Sequence, residues 1–300
     1  MNLTQVLIDV LIPIFLIFGI GYLLGKKKDP DPRPIAHISI FIFLPSLVFI
    51  SFLNGDMVNK LAVTGVYIIV FTFIMYVLSV ITCKLLKFDR SLESAFLLAV
   101  LFTNSGNFGV PLCTFAFGEE GMTNALAYMM YGSVIMYTGA VYIASRGTSN
   151  MRESFSNIFK IPLVYGLIAA IIITYTGSSI PSFIEKPISL LGSAAIPLAM
   201  VLLGIQLSHT QMQKTYKPIA LSTVFRLVLS PLVAIALTSL MGVDGLLRSV
   251  LILESSMPTA INSTLIAIEF DARPGFVSTV VLVSTIFSVI SLSVLLLYLT

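Results

Sequence analysis

Residues 103–112 read TNSGNFGVPL, between the apolar runs SAFLLAVLF and CTFAF. Two asparagines, a serine, two glycines and a proline thus interrupt a run that is otherwise strongly hydrophobic. Glycine weakens a helix and proline removes a backbone donor, so an unbroken helix is disfavoured at this place. The meaning of the stretch depends on whether the surrounding run crosses a membrane.

Composition answers that question. The chain has 300 residues, of which 57% are hydrophobic and only 10% are charged, whereas soluble domains carry about 25% charged residues. This excludes a soluble domain and leaves no basic surface for nucleic acid. Cys83 and Cys113 lie in apolar runs without metal or disulfide spacing. The sequence predicts an all-α polytopic membrane protein surrounded by lipid, with its first span retained because no cleavage site follows it.

A membrane-crossing helix needs about 20 apolar residues. On that template the sequence predicts ten spans, numbered 1 to 10 in chain order. Their ranges are 3–25, 35–53, 61–83, 92–117, 122–145, 161–179, 187–207, 217–241, 246–268 and 276–299.

Basic residues are distributed unequally between the two sets of connecting loops. One set carries thirteen of them, whereas the other carries only Lys60 and Lys186. Since loops rich in Lys and Arg stay in the cytoplasm, both termini are predicted to lie outside the cytoplasm. The membrane is predicted to be the cell (plasma) membrane.

Prolines recur at similar places in the two halves of the chain, which predicts an internal duplication. The pairs are Pro13 with Pro162, Pro45 with Pro197 and Pro111 with Pro258, separated by 149, 152 and 147 residues. Each half, 1–150 and 151–300, would hold five spans. An odd number of spans inverts the second copy, which is the inverted repeat common among secondary transporters.

Spans 4 and 9 are predicted to be broken helices that cross near the middle of the membrane. Gly106, Gly109 and Pro111 predict unwinding over residues 104–111, and polar residues interrupt span 9 around Pro258. The freed backbone N–H groups of two half-helices would suit an anion. Tight helix packing by small polar residues is the alternative explanation. The predicted substrate-binding residues are Asn104, Ser105, Gly106, Asn107, Gly109, Pro111, Ser255, Pro258 and Asn262.

Glu254 and Arg226 are charged residues inside predicted spans, where an uncompensated charge costs at least ~2.5–3.5 kcal/mol. Three interpretations remain open. The two residues form a structural ion pair, Glu254 is a proton-coupling carboxylate, or Arg226 attracts an anionic substrate. Sequence alone does not rank the last two.

Motifs of catalysis are missing from the sequence. It contains no HExxH, GxSxG or P-loop pattern, so neither enzymatic activity nor a metal or organic cofactor is predicted. Without an ATP-binding segment, any transport would be secondary or passive. Tyr128, Tyr131 and Tyr137 in span 5 are interpreted as aromatic helix packing, with cavity lining as the alternative.

The pattern Asn104-x-Gly106-Asn107-x-Gly109-x-Pro111, followed by ESSMPTAIN around Pro258, resembles the auxin efflux carrier family. Glu254 before that proline, and Arg226 with Pro231 in span 8, add to the resemblance. It covers the whole chain, and the short middle loop is similar to that of bacterial members.

The resemblance implies a bile-acid symporter-like fold and a homodimer. Spans 1, 2, 6 and 7 would form a scaffold. Spans 3–5 and 8–10 would form a transport unit that moves like an elevator. Bacterial members are linked with malonate, malate and similar organic acids.

The leading hypothesis is therefore a secondary active transporter of a small organic anion, coupled to H⁺, with Na⁺ as the competing coupling ion. The alternative is a membrane sensor or binding protein with the same fold and no transport.

Overall fold

The computed structural model describes residues 2–53, 57–144, 162–210 and 212–300. The described residues form eleven helices. Their bounds are Leu3–Lys28 (α1), Pro32–Phe52 (α2), Met57–Leu85 (α3), Arg90–Leu101 (α4), Ser105–Ala144 (α5), Pro162–Thr176 (α6), Ser182–Ser208 (α7), Tyr216–Leu240 (α8), Gly245–Ser255 (α9), Asn262–Glu269 (α10) and Pro274–Leu299 (α11).

Seven of these helices are long and apolar enough to cross a membrane, and α6 is a shorter apolar helix. Helices α4, α9 and α10 have 12, 11 and 8 residues, which reach about 18 Å or less across a ~30 Å hydrocarbon layer. The all-helical polytopic architecture is confirmed. The division into ten spans and two inverted repeats stays a prediction, and the middle loop, 145–160, lies outside the described residues.

Gly118 divides α5 into two parts. Its φ of 67° and ψ of −156° lie outside helical geometry, and such a positive φ is open to glycine without steric cost. The turn therefore falls at the first residue of the segment 118–121 that separates predicted spans 4 and 5.

Four prolines within helices follow a widened, π-helical turn by two residues. The pairs are Val6–Leu11 with Pro13, Ser39–Phe43 with Pro45, Ser105–Gly109 with Pro111, and Phe225–Leu229 with Pro231. Proline lacks an N–H and its ring clashes with the carbonyl four residues earlier. A π turn shifts the hydrogen bonds to i→i−5 and relieves both problems. The helices therefore continue through these prolines.

Helices α1, α2, α6 and α7 pack together, with α1 lying along α7. A Cβ atom on Gly21 of α1 would collide with the backbone carbonyl of Val201, and one on Gly204 of α7 would collide with that of Phe18. Because lipid supplies no hydrophobic drive between helices, the van der Waals contact made possible by such close backbone approach contributes to their association.

The remaining helices pack around the short ones, and α4 contacts α3 and α11. Asp89 caps α4 by accepting from the N–H groups of Ser91 and Leu92, each at 3.0 Å. It also binds the Arg273 guanidinium, 2.6 Å away, at the start of α11. The Leu92 N–H, with help from Arg273, lowers the pKa of Asp89 below its usual value. The beginnings of α4 and α11 are thereby tied together.

We predict that Gly21→Ala lowers the thermal unfolding temperature of the detergent-purified protein, because overpacking a tight contact costs about 1–3 kcal/mol. Gly19→Ala is the matched control on the same helix, since its added methyl would meet nothing within 4 Å. That control should be neutral or gain up to about 1 kcal/mol of helix stability. Equal unfolding temperatures for the two variants would contradict the α1–α7 contact.

Candidate functional site

Two interruptions meet at the centre of the molecule, one between α4 and α5 and one between α9 and α10. Thr103 and Thr259 form an isolated antiparallel bridge. The Asn104 N–H donates to the Pro258 carbonyl at 2.9 Å, and the Ala260 N–H donates to the Phe102 carbonyl at 2.9 Å. Each interruption therefore satisfies the backbone of the other. We call this pair of interruptions, residues 102–104 and 256–261, the crossing.

The interruption of span 4 lies earlier than predicted. Unwinding was expected over residues 104–111, but the extended backbone is at Phe102, with φ −105° and ψ 121°. Gly109 and Pro111 are helical. The π turn over Ser105–Gly109 absorbs the proline, with the Gly109 N–H donating to the Asn104 carbonyl at 3.0 Å. The predicted position of the break was therefore wrong. The π turn accommodates the local helix breakers, and backbone pairing with the second interruption determines where the helix is interrupted.

The N-terminus of α5 is left without a cap. The N–H groups of its first three residues, Ser105, Gly106 and Asn107, have no acceptor among the hydrogen bonds of the described residues, and the Asn104 side chain does not cap them. The side-chain Nδ2 of Asn104 is also buried without a partner. Unpaired N–H groups at a helix N-terminus carry partial positive charge and bind anions.

These four residues line a cavity of about 110 Å³. Asn262 of α10 lines it as well, so five of the nine predicted substrate-binding residues meet there. The Oε1 atom of Gln206, another lining residue, is buried without a partner. Two residues that line the cavity thus each have a buried amide atom without a partner, one a donor and one an acceptor.

Several polar lining residues were not predicted from sequence. They are Ser39 of α2, Thr72 of α3, Thr103, Ser133 of α5 and Gln206 of α7. Each is a single polar residue in an apolar helix or next to the predicted motif, a signal too weak to separate from ordinary packing. Of the three tyrosines, Tyr128 and Tyr137 line the cavity; cavity lining was the alternative interpretation for them.

The other four predicted substrate-binding residues do not line this cavity. Gly109 and Pro111 lie farther along α5. The Ser255 hydroxyl contacts the hydroxyls of Tyr67, at 2.8 Å, and Tyr128, at 3.2 Å. The Pro258 carbonyl is used in the crossing. Their part in ligand binding stays a prediction.

Arg226 is completely buried and holds the crossing. Its Nε and Nη2 donate to the Met257 carbonyl at 3.2 and 2.6 Å, and Nη2 also donates to the Ser255 carbonyl at 2.8 Å. Its Nη1 donates to the Val100 carbonyl at 2.9 Å and to the Ser230 hydroxyl at 3.1 Å. A guanidinium has five N–H donors, and these five hydrogen bonds use them all.

Glu254 is also completely buried. Its Oε1 accepts from the Cys113 thiol at 3.7 Å, while its Oε2 has no partner. The carboxyl group occupies the space that a Cβ on Gly109 would fill. The ion pair between Glu254 and Arg226, one of the three interpretations left open by the sequence, is absent from the salt bridges of the described residues, because backbone carbonyls and the Ser230 hydroxyl already engage the whole guanidinium.

A polytopic helical protein in which two interrupted helices cross beside a polar cavity has the architecture of a membrane carrier. The chain belongs to the membrane transport protein family, whose sequence model matches residues 6–296. This confirms the resemblance to auxin efflux carriers. The family consists of transporters rather than enzymes.

Relatives extend over nearly the whole chain. An uncharacterized transporter of Methanothermobacter thermautotrophicus is 28% identical over 300 residues, covering 97% of both chains. An uncharacterized transporter of Methanocaldococcus jannaschii is 25% identical over 293 residues, 94% of this chain and 95% of the relative. A Rhizobium meliloti protein named "Putative malonate transporter" is 22% identical over 299 residues, 95% of this chain and 93% of the relative.

We predict that Gly109→Ala destabilises the protein by about 1–3 kcal/mol, because the new methyl displaces the buried Glu254 carboxyl group. In a Glu254→Ala background this cost should disappear, giving a coupling energy of about 1 kcal/mol or more in a double-mutant cycle of thermal or denaturant unfolding. Gly139→Ala is the control, since its methyl would approach only Ile135 Cγ2, at 4.0 Å. Additive single effects would show that the two residues do not share this space.

Proposed function

We propose that this protein is a secondary active transporter of a small organic anion of the carboxylate class. The observation that carries the proposal is the uncapped N-terminus of α5 beside the unpaired Asn104 amide, both at one cavity. Carboxylate oxygens accept such N–H groups in short, charge-assisted hydrogen bonds. The Gln206 amide and the Asn262 side chain would orient the remainder of the ligand.

The size of the cavity favours a ligand of few atoms. Pockets for drug-sized molecules measure roughly 300–1,000 Å³, while this cavity measures about 110 Å³. A short mono- or dicarboxylate suits it better than an aromatic carboxylate such as auxin. The name of the Rhizobium meliloti relative makes malonate the first compound to test.

The proposed architecture has ten spans in two inverted five-helix repeats, 1–150 and 151–300. The interruptions in both halves support it, as does the packing of α1, α2, α6 and α7 into one group. That group would be the scaffold and, in a homodimer, the contact between protomers. The other helices would carry the crossing and the cavity across the plasma membrane by an elevator-type movement.

The position of the cavity along the helices supports a proposal for the side of the membrane that it faces. Ser39, Tyr137 and Gln206 line it, and all three lie in the halves of their helices nearer to the loops that hold thirteen basic residues. If those loops are cytoplasmic, the termini are outside and the cavity belongs to the cytoplasmic half. The conformation is then inward-facing.

Glu254 is the proposed site of proton coupling. A buried ionised carboxylate without a partner is far more costly than the neutral acid, and Glu254 has no charged partner among the described salt bridges. Proton binding would therefore accompany its burial, and proton release would accompany its exposure in another state. A sodium gradient is the competing driving force in the experiment below.

In proteoliposomes the protein should accumulate labelled malonate or malate. Asn104→Leu and Asn107→Leu should each reduce the initial rate about ten- to a hundredfold, because a hydrogen bond to a charged group contributes about 1.5–3 kcal/mol.

Thr114→Val is the control on the same half-helix, because among the described hydrogen bonds its hydroxyl binds only the Val110 carbonyl, and Thr114 does not line the cavity. Normal transport by both asparagine variants would overturn the proposed site. Ligand-induced thermal stabilisation without flux from any member of a carboxylate panel would indicate a sensor instead.

Glu254→Gln should abolish acceleration of uptake by an imposed pH gradient while leaving exchange of internal for external substrate intact. Glu185→Gln, at an exposed carboxylate near the start of α7, should leave the response to the pH gradient unchanged. Uptake is measured separately under pH and sodium gradients. Full pH-driven accumulation by Glu254→Gln would exclude the proton role of this residue.

A further inference from the structure

The C-terminal ends of α4 and α9 meet at one point of the crossing. The last carbonyls of a helix have no helical N–H partner and carry partial negative charge. Here the carbonyls of Val100, Ser255 and Met257 converge from these two ends onto one group. The Ser230 hydroxyl, on α8, completes the set of four oxygens. We call these four oxygens the oxygen cage.

The oxygen cage has the composition of an alkali cation site. Hard cations prefer carbonyl and hydroxyl oxygens. In secondary transporters with broken helices, unwound carbonyls and the C-terminal ends of half-helices are the groups that coordinate a coupling ion. In this chain the cage encloses the Arg226 guanidinium instead.

We propose that Arg226 is a resident cation, which permanently fills the place that a bound alkali cation would occupy at the crossing. The side chain is tethered to α8, it stays charged at every physiological pH, and all five of its N–H groups are bound to protein oxygens. It therefore contributes the positive charge that the two helix ends require. No ion has to bind or leave.

Two consequences follow. Assembly of the crossing does not depend on sodium or potassium, and this holds whether or not the protein transports anything. The second consequence rests on the proposed function: substrate movement needs no alkali cation at the crossing. Because the guanidinium has no free donor, Arg226 is a positioning residue and does not contact the substrate in this conformation.

The first experiment uses the wild-type protein in detergent and in proteoliposomes, with sodium, potassium or choline as the chloride salt at one ionic strength. Thermal unfolding temperatures should agree within about 1 °C, since a site that is already filled gains nothing by mass action. Initial uptake rates should agree within about twofold. An unfolding temperature or an uptake rate that depends on sodium would overturn the proposal.

The second experiment empties the oxygen cage. Arg226→Ala should lower the unfolding temperature by more than about 5 °C in choline, because the buried oxygens of the cage lose the positive charge and the hydrogen bonds of the guanidinium. Methylguanidinium at about 10 mM, or sodium at constant ionic strength, should then restore part of the loss. Arg226→Lys should fall between the wild type and the alanine variant, as it keeps the charge with three donors.

Arg248→Ala is the matched control, because Arg248 lies in the first turn of α9. In the described contacts it meets only Tyr298, whose hydroxyl is 3.3 Å away and whose ring lies beneath the guanidinium. It should show no rescue by methylguanidinium or sodium. If Arg226→Ala responds to these cations no more than Arg248→Ala does, the oxygen cage is not a cation site. If Arg226→Ala does not fold, the wild-type salt comparison still decides the proposal. Because unfolding temperatures require no substrate, failure of the transport proposal is distinguished from failure of this one.

Discussion

Two hydrogen bonds between the interruptions, from Asn104 N–H to the Pro258 carbonyl and from Ala260 N–H to the Phe102 carbonyl, are the constraint on which the rest of the structure depends. In hydrocarbon a helix cannot stop unless its freed backbone groups find partners inside the protein. Each half of the chain supplies the partners for the other. The interruptions must therefore lie at one depth, and α4, α5, α9 and α10 are positioned together.

Other backbone groups at or near the crossing form hydrogen bonds with side chains. Thr259 Oγ1 donates to the Ala99 carbonyl at 2.7 Å, and the Ser230 hydroxyl donates to the Ser255 carbonyl at 2.8 Å. The Ser284 hydroxyl accepts from the Thr259 N–H at 3.2 Å. Nearly complete satisfaction is what a buried interruption requires. The polar residues around Pro258 therefore mainly form hydrogen bonds with the backbone, and only some of them are left to bind a ligand.

The sequence was sufficient for the membrane class and for the existence of interruptions near Asn104 and Pro258, because composition and clustered helix breakers are local signals. It was insufficient for the position of the first interruption. A π turn accommodates Pro111 within the helix. Phe102 is not a helix-breaking residue type, yet its backbone is extended and pairs with residue 260. A pairing partner more than 150 residues away leaves no local trace in the sequence.

The ion pair, one of the three interpretations left open for Arg226 and Glu254, does not form for a related reason. Arg226 and Glu254 are the natural partners when only side chains are considered, yet the carbonyl oxygens that bind Arg226 belong to the backbone and are invisible in the sequence. The cavity was predictable only at the motif, from Asn104 to Asn107, and at Asn262. Gln206 and Ser39 reach it from helices whose apolar pattern is hardly disturbed by one polar residue.

The treatment of the helix ends supports the proposed preference of the cavity for an anion. The C-terminal ends of α4 and α9 are neutralised inside the protein by Arg226 and Thr259, so their negative partial charges do not act on the cavity. The N-terminus of α5 is not neutralised, and its N–H groups belong to cavity-lining residues. Since the positive end of one half-helix stays open while the negative ends are closed, the local field favours an anion over a cation.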